Sequence, residues 1–239
     1  MGATNYYLLT VLPGLPEPGA APPLSKAALR GMVAEADGPL VVVDTILLSD
    51  DLRLRDAVLA GEVDPAAGAE DPRLEPAVLT GDQLRDEAPL PPYLASAGES
   101  RQPGETRPAA VDVVWEAYFR HAAAMARQTG NAFLSEWVGW EIGLRNALAR
   151  ERAKALELDP QNYLVAPELA TDEDYTASLN AWSAASDPLA ALRALDRRRW
   201  EWIDDHDAWF TFADDEVAAY TARIVLLHRW QRLETEKSE

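Results

Sequence analysis

From residue 111 onward, apolar positions recur every three or four residues. Val111, Val114, Trp115, Tyr118, Phe119, Ala122 and Met125 keep helical spacing, and Gly130 closes the run. The pattern predicts a second helix over 131–157. On it Phe133, Trp137, Trp140, Leu144 and Leu148 form one stripe, and Val138, Ile142 and Ala149 a second, nearly opposite. A helix apolar on two sides is packed between neighbours. Gly139 and Gly143 leave a smooth flank on which another helix can close. Asp159-Pro160 breaks the chain. Thr171 with Asp174 has capping-box spacing before a helix to about 185, and Asp187-Pro188 opens another to about Asp205. Thr211 with Asp214 repeats the capping-box spacing ahead of a closing helix, EVAAYTARIVLLHRWQRL.

The first half reads differently. NYYLLTVL (5–12) is aromatic and β-branched, which predicts a short strand or an extended buried segment. Ser25 caps a helix through Ala36 that Gly38-Pro39 ends. Residues 41–60 form another helix, with Arg53, Arg55 and Asp56 solvated and Ser49-Asp50-Asp51 a break or a solvated face. Fourteen of the 17 prolines precede residue 110, whereas all eight tryptophans follow it. Proline at that density blocks long helices and central strands. Residues 61–110 are therefore an irregular connection with one short helix near 80–87. The expected organisation is an N-terminal part (1–60), this connection (61–110) and a helical core domain (111–239), in an all-α fold.

Charge narrows the partners. The 239 residues carry 22 basic and 40 acidic side chains, a net charge of −18. Such a chain repels phosphate backbones and anionic lipid, so neither nucleic acid nor a bare membrane is an expected partner. There is no cysteine, hence no disulfide and no thiolate chemistry. MGATNYYLLTVLPGLP lacks a basic n-region, so a cytoplasmic location is expected.

Catalytic chemistry is hard to find. Glu141 and Arg145 stand at i, i+4 in the favourable order, which predicts an orienting ion pair rather than a general base. IDDHDAW gathers Asp204, Asp205, His206 and Asp207, but Ala208 breaks a DDxxD pattern, so capping and solvation are expected. His121, His206 and His228 share no zinc spacing. No catalytic, cofactor or metal residue is assigned. A hydrolase or lyase using carboxylates with a metal is the enzymatic alternative.

Four fragments in order, NYYLLTVLPGLP, EWVGWEIGLRNALARER, SDPLAALRALDRRRWEWID and FTFADDEVAAYTARIVLLHRWQRLE, carry a resemblance. The chain resembles a short bacterial family found with V/A-type ATPases and related to the C-type component of their central stalk (d-type in the eukaryotic enzyme). The matching positions are Tyr6 and Tyr7; Glu141, Leu144, Arg145 and Asn146; Leu195, Asp196, Arg199 and Trp200; and Tyr220, Arg223, Ile224, Leu227, Arg229 and Trp230. The Pro/Ala-rich middle departs from the family pattern. The resemblance implies a funnel-like, all-α rotor adaptor that seats the central shaft on the membrane ring and couples ATP turnover to proton or sodium movement. It implies no cofactor, and contact with the inner membrane only through the ring proteins. Trp137, Trp140, Glu141, Arg145, Asn146, Asp196, Arg199, Trp200, Tyr220, Arg229 and Trp230 become structural or interface candidates. A free-standing scaffold or assembly factor is the alternative.

Overall fold

The computed structural model describes residues 5–63, 74–95 and 110–235. Every regular element among them is a helix. Two long helices come from the first half and the start of the second: α3 (Leu40–Leu59) and α6 (Ala110–Thr129), with α1 (Tyr6–Val11), α2 (Lys26–Glu35), α4 (Gly81–Leu84) and α5 (Pro92–Ala95) around them. The remainder is α7 (Ala132–Ala155), two 3₁₀ turns, α8 (Thr176–Ser183), α9 (Pro188–His206) and α10 (Asp214–Thr235). Helix α3 packs on α10, α6 and α2; α7 lies between α6 and α10; α9 lies along α10 and carries α8. No helix among the described residues is long and apolar enough to cross a membrane.

Several ends follow the local signals. The Ser25 side chain accepts from Ala28 N at 3.1 Å, and Asp187 accepts from Ala190 N at 2.7 Å with Pro188 in the first turn. Gly130 takes φ +68 to reverse the chain between α6 and α7, a conformation costly for other residues. Thr80 and Gln83 form a full capping box that starts α4. Of the expected irregular connection, residues 64–73 and 96–109 lie outside the described residues.

Other expectations are overturned. NYYLLTVL is not a strand. Among the described residues no strand exists to pair with it, so its backbone bonds locally, Leu9 N to Asn5 O at 2.9 Å and Leu12 N to Leu8 O at 3.1 Å. Of its apolar side chains only Leu8 and Leu12 are buried, while Tyr6 and Tyr7 are 61% and 74% exposed. The segment is pinned to α10 instead: Asn5 Nδ2 donates to Asp214 Oδ1 at 2.8 Å, and the Tyr220 hydroxyl donates to Pro13 O at 2.8 Å.

Neither later capping box forms. Helix α8 starts only at Thr176, whose N–H is held by Asp174 at 2.9 Å. Thr171 Oγ1 lies 3.0 Å from the Tyr175 hydroxyl rather than capping a helix. Thr211 Oγ1 accepts weakly from Ala213 N at 3.4 Å, and Glu216 reaches back instead to the N–H groups of Phe210 and Phe212.

The glycine flank of α7 receives a loop, not a helix. Thr171 N donates to Gly139 O at 3.1 Å, and Tyr175 lies on Gly143 so closely that a Cβ there would stand 2.0 Å from its hydroxyl. Gly143→Ala must therefore displace the Tyr175 ring. We expect a loss of about 1–3 kcal/mol in urea unfolding, the range for overpacking. In a Tyr175→Ala background the same change should be neutral or gain up to about 1 kcal/mol of helix propensity. Equal effects in both backgrounds would contradict the contact.

Candidate functional site

The interior of this acidic chain holds a network of ion pairs. Ser49-Asp50-Asp51 lies in the middle of α3 and is buried, not solvated, with both carboxylates at 0% exposure. Lys26 Nζ of α2 donates to Asp50 at 2.8 Å, and Arg232 of α10 binds the same carboxylate at 3.1 Å through Nη1 and again through Nη2. Asp51 turns toward the connection and accepts from Ala77 N, Val78 N and Leu79 N at 3.0, 2.7 and 2.9 Å. It thereby fastens the segment before α4 to α3. Arg55 is buried as well, donating to Gln83 O at 3.1 Å and Asp86 at 2.5 Å, and Asp56 accepts from Trp115 Nε1 at 2.7 Å.

The second part of the network corrects the expected pair on α7. Glu141 does not bind Arg145. Its carboxylate takes the Arg199 guanidinium side-on, at 2.5 Å from Nε and 3.2 Å from Nη2, with Arg53 at 3.4 Å. Arg145 turns the other way, to Asp112 at 2.8 Å. Two features explain the split. A two-point Arg–carboxylate contact is stronger than a single-point one, and the Arg145 guanidinium also rests 5.2 Å from the centroid of Trp115. Arg199 continues to Asp196 at 3.1 Å, and Asp196 to Arg229 at 3.2 Å.

Three of the four resembling fragments thus meet in one chain of contacts, Glu141–Arg199–Asp196–Arg229, drawn from α7, α9 and α10. The other candidates are placed around it. Asn146 is 1% exposed and exchanges both amide bonds with Val165, each at 2.9 Å, so it anchors the loop after α7. Trp137 and Trp140 are buried, 5.7 Å apart, and both pack on Trp202 of α9, at 5.4 and 5.5 Å. Trp202, absent from the sequence candidates, carries His206 stacked on it at 3.9 Å. Trp230 lies beneath Arg193 and Arg197. Trp200 is half-buried, with Arg223 at 5.8 Å.

The IDDHDAW segment is also tied inward. Arg223 binds Asp204 at 2.7 Å and pairs with Asp207, whose side chain is only 1% exposed. Asp204 and Asp205 both stay exposed, as expected of the run, and Asp207 does not. No group of three or more metal-ligating side chains forms among the described residues.

Burial shapes the protonation of these groups. It pushes the Asp50 and Glu141 carboxyls up, but the cations beside them win, and both are held below the usual carboxylate range. Burial pushes His228 down, against the pull of its contact with Leu24 O at 2.9 Å. A histidine with a lowered folded pKa leaves stability whole above its unfolded value near 6.5, and stability is lost as pH falls below that. Acidification also relieves the repulsion of −18 charges, which acts in the opposite sense. The contribution of His228 is therefore read as a difference. His228→Gln should gain melting temperature relative to the parent as pH falls from 7 to 5. A pH-independent difference would exclude it.

Above the network opens a cleft of about 1090 Å³ between α3, α6, α7, α9 and α10. Arg53, Arg145, Arg152, Arg199, Arg229 and Arg232 line it, against Asp56, Glu62, Asp112 and Glu141. A separate exposed surface lies where the start of the chain meets the loop before α10. The Tyr6 ring packs 4.9 Å from Phe212, and Trp209 and Phe210 just before it in the chain are 54% and 81% exposed. Phe210 and Phe212 hold φ of +62 and +54, an uncommon conformation for bulky residues.

No family model, curated protein or solved structure matches the chain.

Proposed function

We propose that the protein is a non-catalytic rotor adaptor of a bacterial V/A-type ATPase, seated in the central stalk between the shaft and the membrane ring. The carrying observation is the exposed aromatic surface of Tyr6, Tyr7, Trp209 and Phe210. Exposed aromatics on a folded domain are candidates for a protein contact, aromatic side chains dominate interface energetics, and the Tyr6–Phe212 contact links the two segments that carry these rings. Two backbone positions at positive φ hold the loop that presents them, so the rings are displayed at a conformational cost. The resemblance supplies the partner: Tyr6 and Tyr7 belong to its first fragment, and Phe210 and Phe212 open its last. The negative charge suits a basic shaft end or basic ring loops. In this reading the buried ion pairs keep the helices in register under load, and no chemistry occurs on the adaptor itself.

Affinity capture of a tagged full-length chain tests the reading. Shaft and ring proteins should co-purify at one copy of this chain per complex. Tyr7→Asp with Phe210→Asp should abolish capture while leaving the melting temperature within a few degrees. A chain recovered free, beside an ATPase that assembles intact without it, would transfer the assignment to a free-standing scaffold or assembly factor.

A further inference from the structure

The arginine-lined cleft is unexplained by an adaptor role. Its lining inverts the character of the chain: six arginines face four acids, where the whole sequence has 22 basic and 40 acidic residues. The side chains of Arg199 and Glu141 are 9% and 8% exposed and close its floor. Arg229 Nη1 is buried there with no hydrogen-bonding partner among the described residues, and an unsatisfied buried donor is costly. Burial, with Arg53 and Arg199 nearby, brings the Arg229 pKa down to about 10, so it stays cationic at neutral pH. Arg53 and Arg145 sit over the same indole, Trp115, at 5.6 and 5.2 Å, and both are partly exposed. Arg53 reaches Glu141 only at 3.4 Å, which leaves donor capacity.

The rim has a different chemistry. Val111, Leu156, Leu158 and Tyr163 line it and are 38%, 68%, 44% and 42% exposed. Four exposed large hydrophobic residues thus share the lining of a cationic cleft. Guanidinium forks recognise phosphate and carboxylate in two-point fashion, and clefts of about this size hold small molecules.

We propose that this cleft binds a small amphiphilic anion, with its phosphate or carboxylate head on Arg53, Arg145 and Arg229 and its apolar body against the rim. The acidic exterior keeps free anions away, so the apolar body supplies much of the affinity and selects amphiphiles over inorganic ions.

Titration calorimetry of the full chain at low salt tests this with three probes: dodecyl phosphate and laurate, both below their micelle thresholds, and inorganic pyrophosphate. At least one amphiphile should bind at one per chain, and pyrophosphate at least tenfold more weakly. The two amphiphiles distinguish a phosphate head from a carboxylate head. Arg53→Gln and Arg145→Gln should each weaken binding tenfold or more with helical circular dichroism retained. If Arg53→Gln unfolds, Arg145→Gln decides alone, because Arg145 pairs with the partly exposed Asp112 near the surface. The proposal is overturned if no probe binds, if pyrophosphate binds as tightly as the amphiphiles, or if the variants bind unchanged. Many amphiphiles per chain with loss of helical signal would also overturn it. Capture of ATPase components does not enter any of these readouts.

Discussion

Asp50→Ala is expected to destabilise the protein by about 3–5 kcal/mol, the cost of leaving a buried charge without its partner. Here two cations lose it. Lys26 is 3% exposed and the side chain of Arg232 is 13% exposed, and both converge on Asp50 in the middle of α3. Asp51 replaces it only in part, because its ion pair with Lys26 is a longer 3.7 Å contact and its carboxylate already accepts from three backbone N–H groups. Replacing the whole triad with apolar groups, Lys26→Met, Asp50→Leu and Arg232→Met, should recover part of the loss, because no member of the triad is then stranded, although Asp51 gives up its 3.7 Å contact with Lys26. Urea unfolding of the two variants measures both numbers. A single substitution costing less than about 1 kcal/mol, the scale of an exposed pair, would mean that water reaches the triad.

Trp140→Ala should cost a comparable amount, about 3–5 kcal/mol by large-to-small precedent in cores. The ring is 4% exposed and is held on three sides, by Trp137, Trp202 and Tyr175, at 5.7, 5.5 and 6.2 Å. These contacts join α7, α9 and the loop before α8, so the cavity left behind borders three elements and cannot be filled by one small shift. Equilibrium denaturation followed by far-ultraviolet circular dichroism reads the loss without relying on tryptophan emission. A cost under about 1 kcal/mol would place the ring outside the core.

Helix positions are legible in the sequence because period, caps and breakers are local. Ser25, Gly130 and Asp187-Pro188 act within four residues of themselves, and each stands where its chemistry puts it. The central place of α7 is legible too, from its two stripes. The polar interior is not. Asp50 in a helix reads as a solvated carboxylate, and its partners lie 24 and 182 residues away. For Glu141 the local rule names Arg145 at i+4, but Arg199 stands 58 residues on and offers two donors. The available signal is Arg and Asp at conspicuous positions inside helical patterns, Asp196, Arg199 and Arg229 among them; which one meets which is a tertiary fact. NYYLLTVL misleads because aromatic and β-branched content measures fit to a pleated, half-buried surface, and no sheet is present among the described residues to provide one.

The Asp50–Arg232 contact also bears on how the chain is made. Synthesis runs at roughly 5–20 residues per second, so the 182 residues between the two take roughly 9–36 s to follow Asp50. For that interval α3 carries a carboxylate that has Lys26 within reach but not Arg232. The first half therefore waits, with its core open, for a helix that emerges far later. Final closure belongs to the second half of the chain, and any pause in translation before residue 232 prolongs the exposure of α3.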